Sequence, residues 1–203
     1  FLYLKMSLYY DLISKHKKNN SKFYNNLTYS DFYNNLLNFI NNIENLNDIK
    51  NIGVLLPINI ELLYIIFAFN YLGISVVLIE PCIDYKRFLF IINNSNISVL
   101  FMETISHNLL FNYFSTDYDC LKYIIVLNYD NSYQEIFQKN NELIMNNNLR
   151  LIPFIKLLKK KDKKKNTSKN KNESFLIFYD ENLEIIKFDE KIILEQIKFS
   201  INL

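Results

Sequence analysis

The sequence predicts an α/β fold in which a mostly parallel sheet carries helices on both faces. The first observation behind this prediction is a strand–helix–strand unit between Ile52 and Pro81. The second is that short apolar runs alternate with helix-like segments along the chain, which is the pattern of parallel sheets with crossover helices. The third is size, because 203 residues, of which 50% are hydrophobic, can bury one sizeable core.

The central unit begins with the apolar run Ile52–Leu56, which is typical of a strand buried on both faces. Asn59 can cap the helix that follows, and the residues up to Leu72 are apolar almost all round that helix. Gly73 stands where the helix should end, because glycine takes the left-handed conformation there without steric cost. With the next apolar run, Ile74–Ile79, this segment predicts a parallel, right-handed βαβ unit.

A membrane-spanning helix is the alternative for this stretch, since Ile58 to Ile79 is long and apolar. Asn59, Glu61 and Asn70 interrupt it, and Gly73 divides it where a helix should end. No uninterrupted apolar run of about 18 residues results, which is the length that would indicate a membrane span. We therefore predict no transmembrane segment.

Upstream of this unit the sequence predicts a short helix over Ser7–Lys17 and a brief strand over Leu27–Tyr29. Ser30 is then expected to cap a helix whose apolar residues recur at helical spacing as far as Ile43. His16 lies among lysines and is interpreted as a solvated surface histidine.

Downstream, Asp84 can cap a helix, and the buried strands Ile97–Met102 and Tyr123–Leu127 follow it. Short helical segments are predicted between and after these strands, at Leu109–Phe114 and Ser132–Phe137.

The last part of the chain predicts a β-hairpin and a helix. The runs Ser174–Tyr179 and Leu183–Phe188 have strand character, and the turn 180–182 separates them. Asp189 is expected to cap a final helix that continues through Ile197.

The composition argues against several kinds of site. A loop that cradles phosphates needs glycine, so that the backbone can approach the anion, and both glycines, Gly53 and Gly73, belong to the central unit. Cys82 and Cys120 do not have the spacing of metal ligands, and His107 has no nucleophile motif beside it. We predict no catalytic, cofactor-binding or metal-binding residue.

A lysine-rich run is the strongest local charge in the chain, with nine lysines from Lys156 to Lys171, although the net charge is only +2. Such a run suits a nuclear address, a nucleic-acid contact, a contact with an anionic membrane, or a solvated insert. The run contains no aromatic residue on which bases could stack. We favour the solvated insert and predict no nucleic-acid partner.

Four segments carry a family resemblance: LTYSDF from Leu27, IGVLLPINIE from Ile52, NYLGISVVLIEP from Asn70, and DYKRFLFIINNSNISVLF from Asp84. In this order and spacing they resemble the N-terminal subdomain of the adenylate-forming (AMP-binding) acyl-CoA synthetase-like family. The resemblance implies the α/β fold of that subdomain. It also implies a family activity, in which ATP and Mg²⁺ convert a carboxylic acid such as a fatty acid into an acyl-adenylate, whose acyl group is then transferred to CoA with release of AMP.

The segment FLIFYDENLEIIKFDEKIIL, from Phe175, resembles the strand, ATP-phosphate loop and second strand of the same family. The family loop carries Gly, Ser, Thr and Lys, which hold the ATP phosphates. In this chain the loop is Asp180–Glu184, with three carboxylates and none of those four residue types. The resemblance therefore implies ATP, Mg²⁺ and CoA for the family, but a degenerate phosphate loop here.

These observations divide the chain into an α/β subdomain (1–138), an Asn/Lys-rich low-complexity insert (139–173), and a hairpin and helix at the degenerate loop (174–203). Since Phe1 is not an initiator methionine and the first ten residues do not resemble a signal peptide, we expect a fragment of a cytoplasmic synthetase-like protein. Its expected partners are the rest of the synthetase domain and a small carboxylic acid. Membrane association and a non-catalytic scaffold role, in which the basic insert contacts an anionic partner, stay open.

We predict that the run Lys159–Asn172 is dispensable for folding. It has no apolar residue to bury, and ordering it would cost roughly 1–2 kcal/mol per residue in backbone entropy. Deleting the run should leave the melting temperature of the chain nearly unchanged in a calorimetric scan. A clear fall in that temperature would mean that the run packs on the domain.

Overall fold

The computed structural model describes residues 14–44, 46, 48–80, 83–103, 118, 120–127, 149–160, 175–189 and 192. Within them the strands are β1 (Lys22–Tyr24), β2 (Leu27–Thr28), β3 (Asn51–Leu55), β4 (Val76–Leu78), β5 (Ile97–Glu103), β6 (Tyr123–Leu127), β7 (Arg150–Pro153), β8 (Phe175–Tyr179) and β9 (Ile185–Asp189). The helices are α1 (Tyr29–Ile43), α2 (Ile60–Leu72), α3 (Tyr85–Asn94) and α4 (Ile155–Leu158), and a single 3₁₀ turn covers Ser14–His16.

The main sheet has seven strands in the order β7-β6-β5-β3-β4-β8-β9. Every neighbouring pair is parallel except the last, because β8 and β9 form an antiparallel hairpin. Strands β1 and β2 form a separate two-stranded ribbon. The predicted fold class, α/β with a mostly parallel sheet, is confirmed.

Helices cover both faces of this sheet, as the fold prediction requires. Helices α1, α2 and α4 pack on one face, where the buried strand residues include Ile52, Val54 and Phe101. Helix α3 packs on the other face, against residues such as Leu55 and Leu100. Alternate residues of the same strands thus feed two separate cores.

Gly53 shows how tightly the second core is packed. A Cβ atom at this position would lie 3.0 Å from Cδ1 of Ile97 on the neighbouring strand. That separation is shorter than an ordinary van der Waals contact, so a larger side chain would displace Ile97.

Helix α2 is buried by α1 on one side and by the sheet on the other. Asn59 caps it by accepting a hydrogen bond from the Leu62 N–H at 2.9 Å, and Gly73 ends it at φ 69° and ψ 33°, as predicted. Phe69 is fully buried and makes edge-on ring contacts with Phe39 and Phe101. Among the described residues, no helix is both long and apolar enough to cross a membrane.

Helix α1 begins two residues earlier than predicted, because Thr28 caps it, so the expected cap at Ser30 is wrong. Thr28 Oγ1 accepts from the Asp31 N–H at 3.1 Å, and Asp31 Oδ2 accepts from the Thr28 N–H at 3.2 Å. This reciprocal capping box needs an acidic residue three positions after the cap. Ser30 has Tyr33 at that position and cannot form it.

The other predicted strands and the Asp84 cap are present with small shifts in their ends. Strand β4 is shorter than the predicted run Ile74–Ile79, because the Ile74 N–H donates to the Phe69 carbonyl at 2.9 Å and so closes α2. The helices predicted at 109–114 and 132–137, most of the one at 7–17, and most of the final helix lie outside the described residues. Asp189 Oδ1 does accept from the Ile192 N–H at 2.8 Å, as a cap would.

Strand β7 and helix α4 were not predicted, and they lie inside the range assigned to the low-complexity insert. The side chain of the buried Asn42, on α1, donates to the carbonyls of Leu157 at 2.8 Å and Lys159 at 2.9 Å. The part of the lysine-rich run that can be deleted without removing these bonds therefore starts after Lys159.

Replacing Phe69 with Ala should lower the free energy of unfolding by about 3–5 kcal/mol, because the substitution leaves a cavity among packed rings. Ile58→Ala is the matched control, since Ile58 is 96% exposed, and it should change stability by less than about 0.5 kcal/mol. Urea denaturation followed by circular dichroism measures both values. Equal effects of the two substitutions would contradict the burial of α2.

Candidate functional site

The hairpin of β8 and β9 is the candidate site, because it stands where the resemblance places an ATP-phosphate loop. Strand β8 pairs in parallel with β4, with Val77 opposite Ile177. Strand β9 returns antiparallel beside it, with Tyr179 opposite Ile185, and forms the edge of the sheet. The turn at residues 180–184 therefore lies at the carboxyl end of β8, the edge where open α/β sheets bind ligands.

The turn uses its own backbone donors. Asp180 Oδ1 accepts hydrogen bonds from the N–H groups of Asn182 at 2.9 Å and Glu184 at 2.8 Å. The Leu183 N–H donates to the Asp180 carbonyl at 3.0 Å, and the Asp180 N–H donates to the Glu184 carbonyl at 3.1 Å. A phosphate loop presents such N–H groups to an anion, whereas here the Asp180 carboxylate already occupies two of them.

Leu183 closes the turn in the left-handed region, with φ 63°. A three-residue hairpin loop usually has glycine at this point, and a non-glycine residue there costs roughly 1–2 kcal/mol. Leu183 is half-buried against the core under α3, which compensates for the strained backbone. The turn is therefore held by packing as well as by hydrogen bonds.

Helix α3 fastens the hairpin at two points. Arg87 Nη2 donates to the Asp180 carbonyl at 3.1 Å. At the other end of the helix, the Tyr179 hydroxyl lies 2.6 Å from Ser95 Oγ and accepts from Asn94 Nδ2 at 3.0 Å. These contacts connect residues more than 80 positions apart, so the position of the turn depends on the sheet order.

The electrostatics of the turn are unfavourable to an anionic ligand. Asp180, Glu181 and Glu184 are carboxylates, and two like charges 4 Å apart repel by ~1 kcal/mol in water and ~4 kcal/mol at an effective dielectric constant of 20. The guanidinium of Arg87 is directed at a carbonyl of the turn. Lys187 lies opposite Ile177 in the hairpin, so alternation puts it on the α3 face, away from Phe178 and Ile186.

Other residues considered in the sequence analysis do not join this site. His16 is exposed and packs its ring against Tyr29, with the ring centroids 5.0 Å apart. Cys120 Sγ donates to Asn96 Oδ1 at 3.4 Å. Across the described ranges, no three His, Cys, Asp or Glu side chains are close enough together to hold a metal ion. His107 and Cys82 lie outside those ranges.

Arg87 is the contact that the sequence analysis missed. It lies 93 residues before Asp180, and no local pattern marks it, because the contact exists only when β8 lies beside β4 and α3 covers that pair. Its Nε atom is buried and has no hydrogen-bond partner in the described part of the chain.

Shifted pKa values occur on α1 and α2, at the other face of the sheet. Burial raises the pKa of Tyr64 most, while its hydrogen bond from Asn35 acts in the opposite direction. Hydrogen bonds from Thr28 lower the pKa of Asp31, and burial raises the pKa of Glu44. These shifts follow from capping and packing in the first core.

Several solved structures have this fold. The A domain of a carboxylic acid reductase from Segniliparus rugosus, in complex with AMP and a co-purified carboxylic acid, aligns with a TM-score of 0.65 at 9% identity, over 81% of this chain and 28% of that one. An anthranilate CoA ligase in complex with anthranoyl-AMP aligns at 0.61 and 13% identity, over 81% and 30%. A luciferase-like enzyme from the mealworm Zophobas morio aligns at 0.60 and 14% identity, over 86% and 39%.

No protein-family model matches the sequence, and no curated protein matches it either. At 9–14% identity the structural matches establish the fold alone, which is that of the N-terminal domains of acyl-CoA synthetases. The chain spans 28–39% of the length of these three proteins.

Replacing Asp180 with Ala should loosen the turn and lower the free energy of unfolding by about 1–2 kcal/mol, because the substitution removes the acceptor for two N–H groups. Asp180→Asn keeps a carbonyl oxygen and should have a smaller effect. Urea denaturation gives the stability, and amide exchange at Asn182 and Glu184 localises the change. Glu181→Ala is the exposed control, and an equal loss in it would contradict the role of Asp180.

Proposed function

We propose that this chain is the N-terminal part of an adenylate-forming, acyl-CoA synthetase-like protein. The observation that carries the proposal is the shared α/β fold over 81% of the chain, with the hairpin at the strand end where the family resemblance puts its ATP loop. The class of substrate is a carboxylic acid. Among the structurally similar proteins, the reductase A domain is in complex with AMP and a co-purified carboxylic acid, and the anthranilate CoA ligase is in complex with anthranoyl-AMP.

The hairpin itself is a degenerate phosphate loop in this proposal. The N–H groups of Asn182, Leu183 and Glu184 are bonded within the turn, and the turn carries three carboxylates. ATP phosphates need free donors and a cation, so these residues do not fit them. We assign no catalytic step, and no contact with ATP, Mg²⁺ or CoA, to the residues of this chain. The rest of the synthetase domain is the proposed partner that completes a site.

A second candidate is a non-catalytic scaffold that has kept the fold and lost the chemistry. The bonded turn supports it, as does the lysine-rich run that begins beside α4. ATP–pyrophosphate exchange on the full-length gene product distinguishes the two candidates. Exchange that depends on an added carboxylic acid supports a synthetase, and no exchange with a panel of aliphatic and aromatic acids supports the scaffold.

Titrating the chain with Mg-ATP should leave the amide resonances of residues 179–188 without saturable shifts at submillimolar ATP. The physical reason is that the Asp180 carboxylate competes for the turn donors while the neighbouring carboxylates repel the phosphates. Two-dimensional NMR of the labelled chain provides the measurement. Saturable shifts centred on the turn would overturn the degenerate-loop part of the proposal.

A matched variant separates charge from geometry. Asp180→Asn/Glu181→Gln/Glu184→Gln removes the three negative charges, while the loop keeps its length and position 180 keeps an oxygen that can accept the two N–H bonds. If only the variant shows saturable amide shifts with Mg-ATP, the negative charge of the turn is what excludes ATP. If neither the variant nor the unmodified chain shows them, the missing glycine and lysine are the cause.

A further inference from the structure

Helix α4 and the two residues after it form a small exposed surface, the α4 basic surface, made of Ile155, Lys156, Lys159 and Lys160. All four side chains are exposed, and Ile155 is 61% exposed although it is a large apolar residue. A single exposed isoleucine is common on protein surfaces. Here it lies beside three exposed lysines, so the surface combines an apolar side chain with positive charge.

The backbone beneath this surface is fixed to the domain. Phe154 and Leu157 are buried, with 5% and 4% exposure, in the core under α1. From α1, Asn42 Nδ2 donates to the carbonyls of Leu157 and Lys159. Because Phe154 and Leu157 hold this segment against the domain, the exposed side chains of the α4 basic surface point away from the domain.

The positive charge on this surface has no ion-pair partner among the residues that the structure describes. Within the described part of the chain, no Asp or Glu lies within ion-pair distance of Lys156, Lys159 or Lys160. The sequence adds six more lysines and a single acidic residue, Asp162, before position 172. The first three lysines are thus the anchored start of a longer positive segment.

We propose that the α4 basic surface docks on an anionic lipid bilayer. Lysines attract the negative headgroups, and Ile155 can enter the boundary between headgroups and acyl chains. Each lysine near such a surface raises the affinity by roughly fivefold. The proposal is independent of whether the chain is part of an active synthetase.

The composition favours lipid over nucleic acid as the partner. From Ile155 to Asn172 the sequence has neither an aromatic residue to stack on bases nor an arginine to form bidentate contacts with phosphate or guanine. Lysine acts as a point charge, which suits a diffuse field of headgroups.

The test is co-sedimentation of the full 203-residue chain with vesicles of phosphatidylcholine alone or with phosphatidylserine added. Binding should require phosphatidylserine and should weaken as salt is raised. The variant Lys156→Glu/Lys159→Glu/Lys160→Glu should lose affinity by on the order of 100-fold or more. Ile155→Ser should weaken binding several-fold while keeping its salt dependence.

A matched control places the same charge change elsewhere. Lys17, Lys18 and Lys22 are exposed and lie near the start of α1, where Asn19 and Ser21 accept hydrogen bonds from its first N–H groups. Asn42 and the α4 basic surface lie at the other end of this helix, about 22 Å away. The variant Lys17→Glu/Lys18→Glu/Lys22→Glu should keep most of the binding.

Circular dichroism checks that each variant is folded, and the Lys→Gln triple replaces the Lys→Glu triple if the latter does not fold. Three results would overturn the proposal. They are no binding to vesicles with phosphatidylserine, an equal loss in the control triple, and tighter binding to a single-stranded RNA than to the vesicles at the same salt.

Discussion

The burial of β3 on all sides is the constraint on which the rest of the structure depends. It pairs in parallel with β4 and β5, and helices cover both faces, so every residue from Ile52 to Leu55 is buried. Gly53 lets Ile97 approach on one face. On the other face, α2 packs against both the sheet and α1, so it is apolar nearly all round, and Phe39 of α1 also reaches the sheet at Phe101. The cluster of Phe39, Phe69 and Phe101 follows from this layering.

The same layering decides what the hairpin can do. Because β8 lies beside β4, the turn at its end comes within reach of α3, and Arg87 and Tyr179 hold it there. The turn stands at the strand end where open α/β sheets bind ligands, and the Asp180 carboxylate accepts hydrogen bonds from two of its N–H groups. Packing maintains this arrangement whatever residues the loop carries, so the fold alone does not set the chemistry of the turn.

Much of the fold could be predicted because its signals are local. Apolar runs located the buried strands, and Asn59, Gly73 and Asp84 marked helix ends through bonds to near neighbours. The errors arose where two local signals competed or where none existed. Ser30 is a good capping residue, but Thr28 has Asp31 in the reciprocal position. Strand β7 is half-exposed and ends in Pro153, so its pattern is weak, and only pairing with β6 makes it a strand.

The sequence by itself determined the fold class, the hairpin, its acidic turn and the lysine-rich run, because each depends on residue type and spacing within a few positions. The tertiary structure alone decided which residues meet. Arg87 reaches the Asp180 carbonyl across 93 residues, and Asn42 reaches the Leu157 carbonyl across 115. Such contacts depend on the order of strands in the sheet and on which face each helix covers. Neither is encoded in local periodicity, since the same apolar strands could pair in several orders with equal burial.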